Sequence, residues 1–425
     1  MTEVGLLIFL IWCVSVTFVF FVTRDIASPQ MMFMASLGVF FSDIFFSQYN
    51  LYIYAIYILL LFIVLLTTVI YFQYTPKNHN FHYDLHKNKQ VNAPYFSLSI
   101  FWILSLPAII ANIYLINMFG GLEGYMMAAK YGTREFHGLG IIKSIISTYY
   151  PVSIFYFAYV IKNINSRKVY FFFALHFSIV VIMAILAVSR GTLLTHILAM
   201  ILVWHYGKSR VKPFTIVSSL GIMLVSAALL GVVRETYSVS EGEVDFGLKG
   251  KEVVLKSTWS ILGVYPLETM VEAEHIEKKF GLTYLTAITN FVPRVFWPEK
   301  PDPGGVIFTR DYAKGLGYDD YSHFTTGLLP EAMINFGSTF GLLFGVFQLF
   351  VLLIFLSNYH IKNFIIKRSA MRTDYEVFMT IIYVYSIWHA TMLLTGEFTS
   401  ITIGWLIKII TLSLVYLILR ISFQK

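Results

Sequence analysis

The chain has 425 residues, of which 57% are hydrophobic and only 13% are charged. Soluble proteins carry about 25% charged residues, so this composition excludes a soluble enzyme, and it is too apolar for a disordered chain. The single cysteine, Cys13, excludes an intramolecular disulfide and a CxxC metal or redox site. The net charge of +7 is distributed in a way that indicates membrane topology rather than nucleic-acid binding.

Apolar segments of near-spanning length recur along the whole chain, and a spanning helix takes about 20 residues. In chain order they are Val4–Val22, Met31–Phe46, Leu51–Phe72, Phe96–Met118, Leu139–Ile161, Val169–Val188, Thr192–Tyr206, Thr215–Val233, Gly337–Ser357, Val377–Thr395 and Ile401–Leu419. Met31–Phe46 is the weakest of these because it is short and contains Asp43. The sequence therefore predicts an all-α polytopic membrane protein, a single integral membrane domain over residues 1–425 with about 11 (10–14) transmembrane helices.

Lysine and arginine concentrate in alternate loops and at the C-terminus. They are Arg24, Lys77, Lys87, Lys89, Lys162, Arg167, Lys168, Lys208, Arg210, Lys212, Lys362, Lys367, Arg368, Arg372, Arg420 and Lys425. Because short cytoplasmic loops are enriched in basic residues, we place these segments in the cytoplasm. The N-terminus then lies outside, provided that Met31–Phe46 spans the membrane.

Two outer loops follow from this topology, a small periplasmic loop at Phe119–Gly138 and a large one at Arg234–Phe336. Within the large loop, Lys251–Ala273 alternates apolar and polar residues, which predicts a helix lying on the membrane and bent at Pro266. No helix can continue through the proline spacing of Phe291–Gly305, so we expect a fixed, extended loop there. The prolines of this segment are Pro293, Pro298, Pro301 and Pro303.

Two further patterns favour structural roles. Gly337, Gly341 and Gly345 recur every four residues at the start of a predicted span, a spacing that lets helices pack closely in lipid. Asp319 and Asp320 are adjacent carboxylates that can bind Mg²⁺ with a diphosphate, but a solvated turn is the favoured interpretation. The chain has no phosphate-binding loop, no GxGxxG and no HExxH motif.

Ionisable residues inside apolar segments are costly in lipid and are therefore functional candidates. Those toward the outer halves of their segments are Asp43, Lys143, His389, Glu397 and Lys408, and Arg190 and Arg234 lie at outer helix ends. An outer cavity lined with arginine suits an anionic ligand such as a lipid diphosphate, although anchoring to headgroups is the alternative. His176 and His196 lie alone among apolar neighbours, which predicts packed or hydrogen-bonded core residues.

Two stretches of the large loop resemble the O-antigen polymerases, the Wzy type of oligosaccharide repeat-unit polymerase. They read Asn290-Phe-Val-Pro-Arg-Val-Phe-Trp-Pro-Glu-Lys-Pro301 and Gly327-Leu-Leu-Pro-Glu-Ala-Met-Ile-Asn-Phe-Gly337. They are similar to the family's Pro-Arg-x-x-Trp-Pro-x-Lys-Pro loop and to its glutamate a few residues before Asn-Phe-Gly. Ser189-Arg190-Gly191 in a tight outer turn, and Gly120-Gly121 before Tyr131 and Arg134, also match. The resemblance covers about residues 120–345.

The resemblance implies a bacterial inner-membrane glycosyltransferase whose active site faces the periplasm. Such enzymes join oligosaccharide repeat units carried on undecaprenyl diphosphate, and they require no metal and no nucleotide sugar. The expected partners are these lipid-linked oligosaccharides and the bilayer, with no nucleic acid and no cofactor. Whether a chain-length regulator binds, which sugars are joined, and whether the anomeric configuration inverts are left open by the sequence.

The chemistry assigns roles to particular residues. A departing diphosphate needs preorganised cations, for which the candidates are Arg190, Arg234, Arg294, Arg310 and Lys300. The attacking sugar hydroxyl benefits from a general base, for which Glu331 leads and His323 is second. Glu331 has an alternative role in favouring a helix N-terminus. Aromatic side chains that can stack on sugars, or anchor the loop at the interface, are Trp297, Tyr312 and Tyr321. The sequence assigns no role to Lys408.

Three other functions compete with polymerisation. An O-antigen ligase shares the substrate class and layout, but the Pro-Arg-x-x-Trp-Pro loop favours the polymerase. A flippase for lipid-linked oligosaccharides, or another transporter, would be expected to show paired internal repeats, and the chain has none. A structural membrane anchor would not need ionisable residues within its spans.

Overall fold

The structure, a computed structural model, describes residues 1–76, 96–131, 135–136, 138–162, 167–187, 189–212, 214–215, 218, 237–240, 243–246, 264–289, 292, 296–313, 324–366, 371 and 373–423. Most of this backbone is helical, as the apolar sequence predicts. By contact density the chain divides into two compact units. The first comprises Met1–Phe81, Ile261–Arg368 and Ser386–Trp405, and the second comprises His82–Ser260, Ser369–Tyr385 and Leu406–Lys425.

The helices are numbered here in chain order. They are α1 Glu3–Thr23, α2 Pro29–Phe40, α3 Leu51–Tyr74, α4 Phe96–Met118, α5 Leu122–Tyr131, α6 Gly140–Ser147, α7 Tyr149–Lys162, α8 Arg167–Leu186, α9 Arg190–Gly207, α10 Val264–Glu272, α11 Leu282–Thr289, α12 Gly304–Ile307, α13 Leu328–Phe336, α14 Ser338–His360, α15 Asp374–Met392 and α16 Phe398–Phe423. A 3₁₀ turn covers Ser42–Phe45, and π-helical turns cover Phe308–Tyr312 and Ile361–Ile366. Strands β1 Tyr237–Ser240 and β2 Glu243–Phe246 form an antiparallel hairpin in which Tyr237 pairs with Phe246.

The protein is a helical membrane protein. In the described part of the chain, seven helical segments are long and apolar enough to cross a bilayer. They are Glu3–Thr23, Leu51–Tyr74, Ser99–Met118, Gly140–Ile161, Arg167–Leu186, Ser338–Ile366 and Phe398–Ile421. Several of the remaining predicted spans fall on shorter helices or outside the described residues, so about eleven spans remains a prediction.

Four of the predicted spans differ from the observed spanning helices or lie outside the described residues. Met31–Phe46 is a helix only as far as Phe40, and the chain then tightens into the 3₁₀ turn that carries Asp43. Thr192–Tyr206 lies on the short apolar helix Gly191–Gly207. Val377–Thr395 lies on α15, which begins with Asp374 and Glu376 and is not among the seven. Thr215–Val233 lies outside the described residues, apart from Thr215 and Ser218.

Side-chain caps and one buried polar chain fix the helices of the first unit. Thr2, Ser28 and Asn50 accept backbone N–H groups at the starts of α1, α2 and α3, and Pro29 follows Ser28 at the first helical position. At the ends of α1 and α3, and beside the start of α2, His360 lies 3.1 Å from Asp25 and 3.0 Å from the Tyr71 hydroxyl. All three side chains are buried, so this series of hydrogen bonds joins the ends of α1, α3 and α14.

Short helices of the predicted large loop lie against α14. Gly341 and Gly345 of α14 leave room for α13, since a Cβ at Gly341 would come within 2.3 Å of the Ala332 carbonyl oxygen. The predicted close packing at this glycine stripe is therefore confirmed for these two residues. Gly337 has another function, because its φ of +87° makes the turn between α13 and α14.

Only part of the helix predicted at Lys251–Ala273 lies in the described residues. There Pro266 belongs to α10, Val264–Glu272, and the predicted bend of a longer helix at this proline stays a prediction. Residues 296–303 are free of helix, as their prolines predict, and the chain becomes helical at Gly304.

Aromatic packing dominates the second unit. Phe101 of α4 stacks on Tyr156 of α7, with ring centroids 4.8 Å apart. His176 of α8 is buried, lies 2.8 Å from the Ser105 hydroxyl and stacks on Tyr149. The prediction that His176 is a hydrogen-bonded core residue is confirmed. His196 is also buried, but no described residue forms a hydrogen bond with its ring nitrogens.

Candidate functional site

Glu331 lies at the centre of a buried polar cluster in the first unit. It is the fourth residue of α13, and its side chain is completely buried. The Thr283 hydroxyl of α11 donates to Oε1 at 2.7 Å, and the backbone N–H of Phe398 donates to Oε2 at 2.7 Å. The carboxyl group therefore joins α13 to α11 and to the first residue of α16, and it does not cap its own helix.

Asn335, one turn after Glu331, completes this connection. Its side-chain amide donates to Thr283 Oγ1 at 2.7 Å and to the Glu331 carbonyl oxygen at 2.9 Å. Its Oδ1 accepts the backbone N–H of Gly281 at 2.9 Å. Glu331 and Asn335 thus hold Thr283 from two sides, which fixes the direction in which its hydroxyl donates.

A second buried carboxylate, Glu397, lies at the start of α16. Its Oε2 accepts the backbone N–H of Gly305 at 2.8 Å, and its Oε1 accepts the Ser400 hydroxyl. Thr399 donates to the Thr283 carbonyl oxygen at 3.0 Å, and its hydroxyl also bonds with that of Thr286. The beginning of α16 is therefore tied both to α11 and to the segment that follows the proline-rich loop.

The two carboxylates flank the pair Gly304 and Gly305. A Cβ on Gly304 would come within 2.7 Å of Glu331 Cδ, while the Gly305 N–H binds Glu397. Both glycines follow Pro303, so the end of the proline-rich loop is held on the carboxyl groups. In the following, Glu331, Glu397, Thr283, Asn335 and Gly304–Gly305 are called the carboxylate cluster.

The surroundings of Glu331 adapt it to hold a proton near neutral pH. Burial, together with the nearby charge of Glu397, raises the pKa of Glu331 to about 7, against the opposing hydrogen bonds from Phe398 and Thr283. A general base is most effective when its pKa lies close to the working pH. The electrostatics therefore suit the proton-accepting role that the sequence predicts for this residue.

Four other predicted site residues lie in the described part of the same loop. Arg310 is exposed and pairs with Asp302 at 3.0 Å and with Asp311 at 2.9 Å. Lys300 donates to the Val292 carbonyl oxygen at 3.0 Å. Trp297 is 38% exposed, and Tyr312 is partly buried against the core of the unit. Exposure of Trp297 and Arg310 leaves both within reach of a ligand at the surface of this loop.

The remaining predicted residues are not described. Arg234, Arg294, Tyr321 and His323 lie outside the described residues, as do Asp319 and Asp320. Arg190 is the first residue of α9, as its tight turn predicts, but its side chain is not described. The predicted role of Arg190 in binding a diphosphate therefore stays a prediction.

Asp43 has a different environment from the one predicted within a span. Its Oδ2 accepts the Tyr49 hydroxyl at 2.8 Å, while its buried Oδ1 has no partner among the described residues. Burial raises the pKa of Asp43, and the charge of Asp43 contributes, after burial and Glu272, to raising the pKa of Glu268. These acidic groups form no metal site: among the described residues, no group of three or more His, Cys, Asp or Glu could hold an ion.

Sequence reasoning missed most partners of Glu331. Thr283, Thr399 and Gly304 carry no motif of their own, and only their position in the fold gives them a function. Two signals were available: Asn335 belongs to the Asn-Phe-Gly pattern, and Glu397 is a carboxylate in an apolar segment.

Comparison of the chain with protein-family models, with curated proteins and with solved structures gives no match. The resemblance to the repeat-unit polymerases therefore depends on the residues quoted above.

Proposed function

We propose that this protein is a membrane glycosyltransferase that polymerises oligosaccharide repeat units carried on undecaprenyl diphosphate. The observation that carries the proposal is the carboxylate cluster itself. Glu331, in the second stretch that resembles the polymerases, packs against Gly304, which follows three residues after the first stretch ends at Pro301.

In the proposed reaction, a sugar hydroxyl of one repeat unit attacks the anomeric carbon of a glycan on undecaprenyl diphosphate. The new glycosidic C–O bond forms as the bond from the anomeric carbon to the diphosphate oxygen breaks. The hydroxyl proton passes to Glu331, and the electron pair leaves with undecaprenyl diphosphate. Its pKa of about 7 makes Glu331 a suitable acceptor for this proton.

Glu331 is fully buried and both its oxygens accept hydrogen bonds. We infer that substrate binding displaces one of these donors, and the Thr283 hydroxyl is the simpler one to move because it is a side chain. Asn335 and Glu397 act as positioning residues, because they hold Thr283 and Gly305 around the carboxyl group.

Cations of the loop stabilise the leaving diphosphate. Arg310 is exposed, and its two aspartate partners can be exchanged for phosphate oxygens. Arg190, Arg234 and Arg294 are assigned the same role by the sequence, with Lys300 in support. Trp297, Tyr312 and Tyr321 are proposed to stack on sugar rings. The location is proposed to be the bacterial inner membrane, with this loop on the periplasmic side.

Reconstitution tests the proposal directly. The purified protein is placed in liposomes with lipid-linked repeat units and no nucleotide sugar, and products are separated by size. We expect a ladder of polymer lengths, which Glu331→Gln abolishes. Glu299→Gln, a change at an exposed carboxylate of the same loop, is the matched control and should retain the ladder.

Other products would overturn the proposal. Transfer of one preformed glycan to an acceptor lipid, without a ladder, would instead indicate a ligase. Movement of the lipid-linked unit across the bilayer without a new glycosidic bond would indicate a flippase. A ladder of normal amount and length from a folded Glu331→Gln variant would remove Glu331 from the reaction.

A further inference from the structure

Lys408 in the second unit has a charge that no described carboxylate balances. It lies within the apolar helix α16, about 15 Å from Phe398 at 1.5 Å per residue, which places it well inside the span. Its Nζ lies 5.3 Å from the centre of the Tyr385 ring, and no described acid forms an ion pair with it. A lysine at such a depth is costly unless a ligand or a partner compensates its charge.

Two buried polar groups of the same unit have unused hydrogen-bonding capacity. His196 of α9 is 2% exposed, and neither of its ring nitrogens has a partner among the described residues. The Tyr385 hydroxyl of α15 is also buried without a described partner. More than nine-tenths of buried polar groups in proteins are hydrogen-bonded, so unsatisfied groups on two helices of one unit need an explanation.

Lys408 and Tyr385 are neighbours, because Lys408 Nζ lies over the Tyr385 ring. His196 belongs to the same compact unit and lies within range of the charge of Lys408. Aromatic rings hold His196 in place, because Phe177 and Tyr150 each lie 5.9 Å from its ring centre. Three different helices, α9, α15 and α16, therefore each bring one polar group to this region of the second unit.

The hydrogen-bonding inventory of the three groups identifies the ligand class. Protonated lysine donates three hydrogen bonds and accepts none, the tyrosine hydroxyl donates one, and histidine donates at least one. Such an excess of donors with a positive charge complements an anion rich in acceptor oxygens, which describes phosphate and diphosphate. Trapped water would satisfy His196 and Tyr385, but it would leave the charge of Lys408 uncompensated.

We propose that Lys408, His196 and Tyr385 form a binding site for the phosphate or diphosphate group of a membrane lipid. We assign the anion to a lipid because the three groups lie on apolar helices of a membrane protein. This site is separate from the carboxylate cluster, and the inference does not depend on the proposed polymerisation.

Binding is the direct test. Full-length protein is titrated by native mass spectrometry with undecaprenyl diphosphate, with phosphatidylglycerol and with inorganic diphosphate. We expect at least one of the two lipids to bind at least about tenfold more tightly than inorganic diphosphate. The preferred lipid then identifies the source of the phosphate group.

Matched variants attribute this binding to the site. Lys408→Met should weaken the lipid complex by about tenfold or more, since it removes a charge-assisted contact. Tyr385→Phe keeps the ring beside Lys408 and should weaken binding by about threefold through the lost hydroxyl. Lys143→Met is the control. Lys143 also lies on an apolar helix and over an aromatic ring, that of Phe136, but its side chain is exposed. Its variant should bind as the wild type does.

The melting temperature without ligand distinguishes a ligand-binding lysine from a structural one. Replacing a structural lysine should lower it. Because no described carboxylate compensates the charge of Lys408 in the free protein, Lys408→Met should melt at the same temperature as the wild type or higher. A lower melting temperature would indicate a structural residue and would contradict the proposal. So would equal lipid binding by wild type, Lys408→Met and Tyr385→Phe, or inorganic diphosphate that binds as tightly as the lipids.

Discussion

Gly304 packs directly on the carboxyl group of Glu331, with no space for a side chain between them. A Cβ at this position would lie 2.7 Å from both Cγ and Cδ of Glu331 and 2.9 Å from Oε1. The carboxyl group cannot yield easily, because Thr283 and Phe398 hold both its oxygens. A side chain at Gly304 would therefore displace Glu331 or the loop that packs on it.

Gly304→Ala adds only a methyl group, but this group should displace the carboxyl group of Glu331. Overpacking at such a site costs about 1–3 kcal/mol, and we expect that loss in the free energy of unfolding together with loss of the proposed polymerising activity. Gly404→Ala is the control, because Gly404 lies on α16 with no neighbouring atom within 4 Å of its Cβ position. Equal stability and activity of the two variants would mean that the loop does not rest on Glu331.

The raised pKa of Glu331 predicts a dependence of stability on pH. The pKa of Glu331 is about 7 in the folded protein and 4.5 in the unfolded chain, so the folded protein binds this proton more tightly. The resulting stabilisation is fully present below pH 4.5 and is lost as pH rises through about 7. It amounts to about 3 kcal/mol, at 1.36 kcal/mol for each pH unit. Glu331→Gln, which cannot ionise, should lack this dependence in unfolding experiments between pH 4.5 and 8.

If Glu331 is the general base, activity should follow the opposite trend. Only the ionised carboxylate accepts a proton, so the polymerisation rate should rise through pH about 7 and then level off. Glu299→Gln should show the wild-type profile in both experiments. A rate that is flat from pH 5 to 8 would assign Glu331 a purely structural role.

Long apolar segments were predicted well because hydropathy alone defines them. Val4–Val22, Leu51–Phe72 and Phe96–Met118 agree with α1, α3 and α4 to within about two residues, the ordinary uncertainty of helix ends. Leu139–Ile161 is also helical, but it breaks at Thr148 into α6 and α7. The Thr148 hydroxyl bonds back to the Ile145 carbonyl oxygen, a local competition that a hydropathy average does not detect.

The candidate site was predictable only in part. Glu331 stood out because of its motif, and its environment could not be foreseen, since its partners Thr283 and Phe398 are 48 and 67 residues away. Hydropathy likewise placed Asp43 in a span, whereas the backbone turns before it. Lys408 was recognisable as an anomaly, but the two buried groups beside it depend on how three helices pack.

Cysteine labelling can test the predicted orientation of the first unit. After Cys13→Ser, single cysteines replace Glu274 in the segment before α11 and Lys362 in the π-helical turn after α14, both of which are exposed. Basic loops face the cytoplasm, so we expect Glu274→Cys to react with an impermeant maleimide in intact cells. Lys362→Cys should react only after the membrane is opened. The reverse pattern would invert the topology.

His360 should contribute strongly to stability, because it bonds both Asp25 and Tyr71 in a buried site. His360→Phe preserves a ring that can stack on Tyr71, but it removes both hydrogen bonds. We expect a loss of about 1–3 kcal/mol in the free energy of unfolding. Tyr71→Phe, which removes only one of the bonds, should lose less. A smaller loss for His360→Phe than for Tyr71→Phe would contradict a chain that runs through the histidine.

Arg310 offers the sharpest separation between stability and chemistry. Its ion pairs with Asp302 and Asp311 are exposed, and such pairs contribute about 0–1 kcal/mol, so Arg310→Ala should unfold much as the wild type does. If its guanidinium stabilises the leaving diphosphate, the polymerisation rate should fall about a hundredfold or more. Arg310→Lys keeps the charge but not the planar two-point contact, so it should recover only part of the rate. Lys362→Ala, at an exposed basic residue assigned to the cytoplasmic side, is the control and should retain full activity. Equal rates for arginine, lysine and alanine at position 310, in proteins of equal stability, would show that these ion pairs only shape the loop.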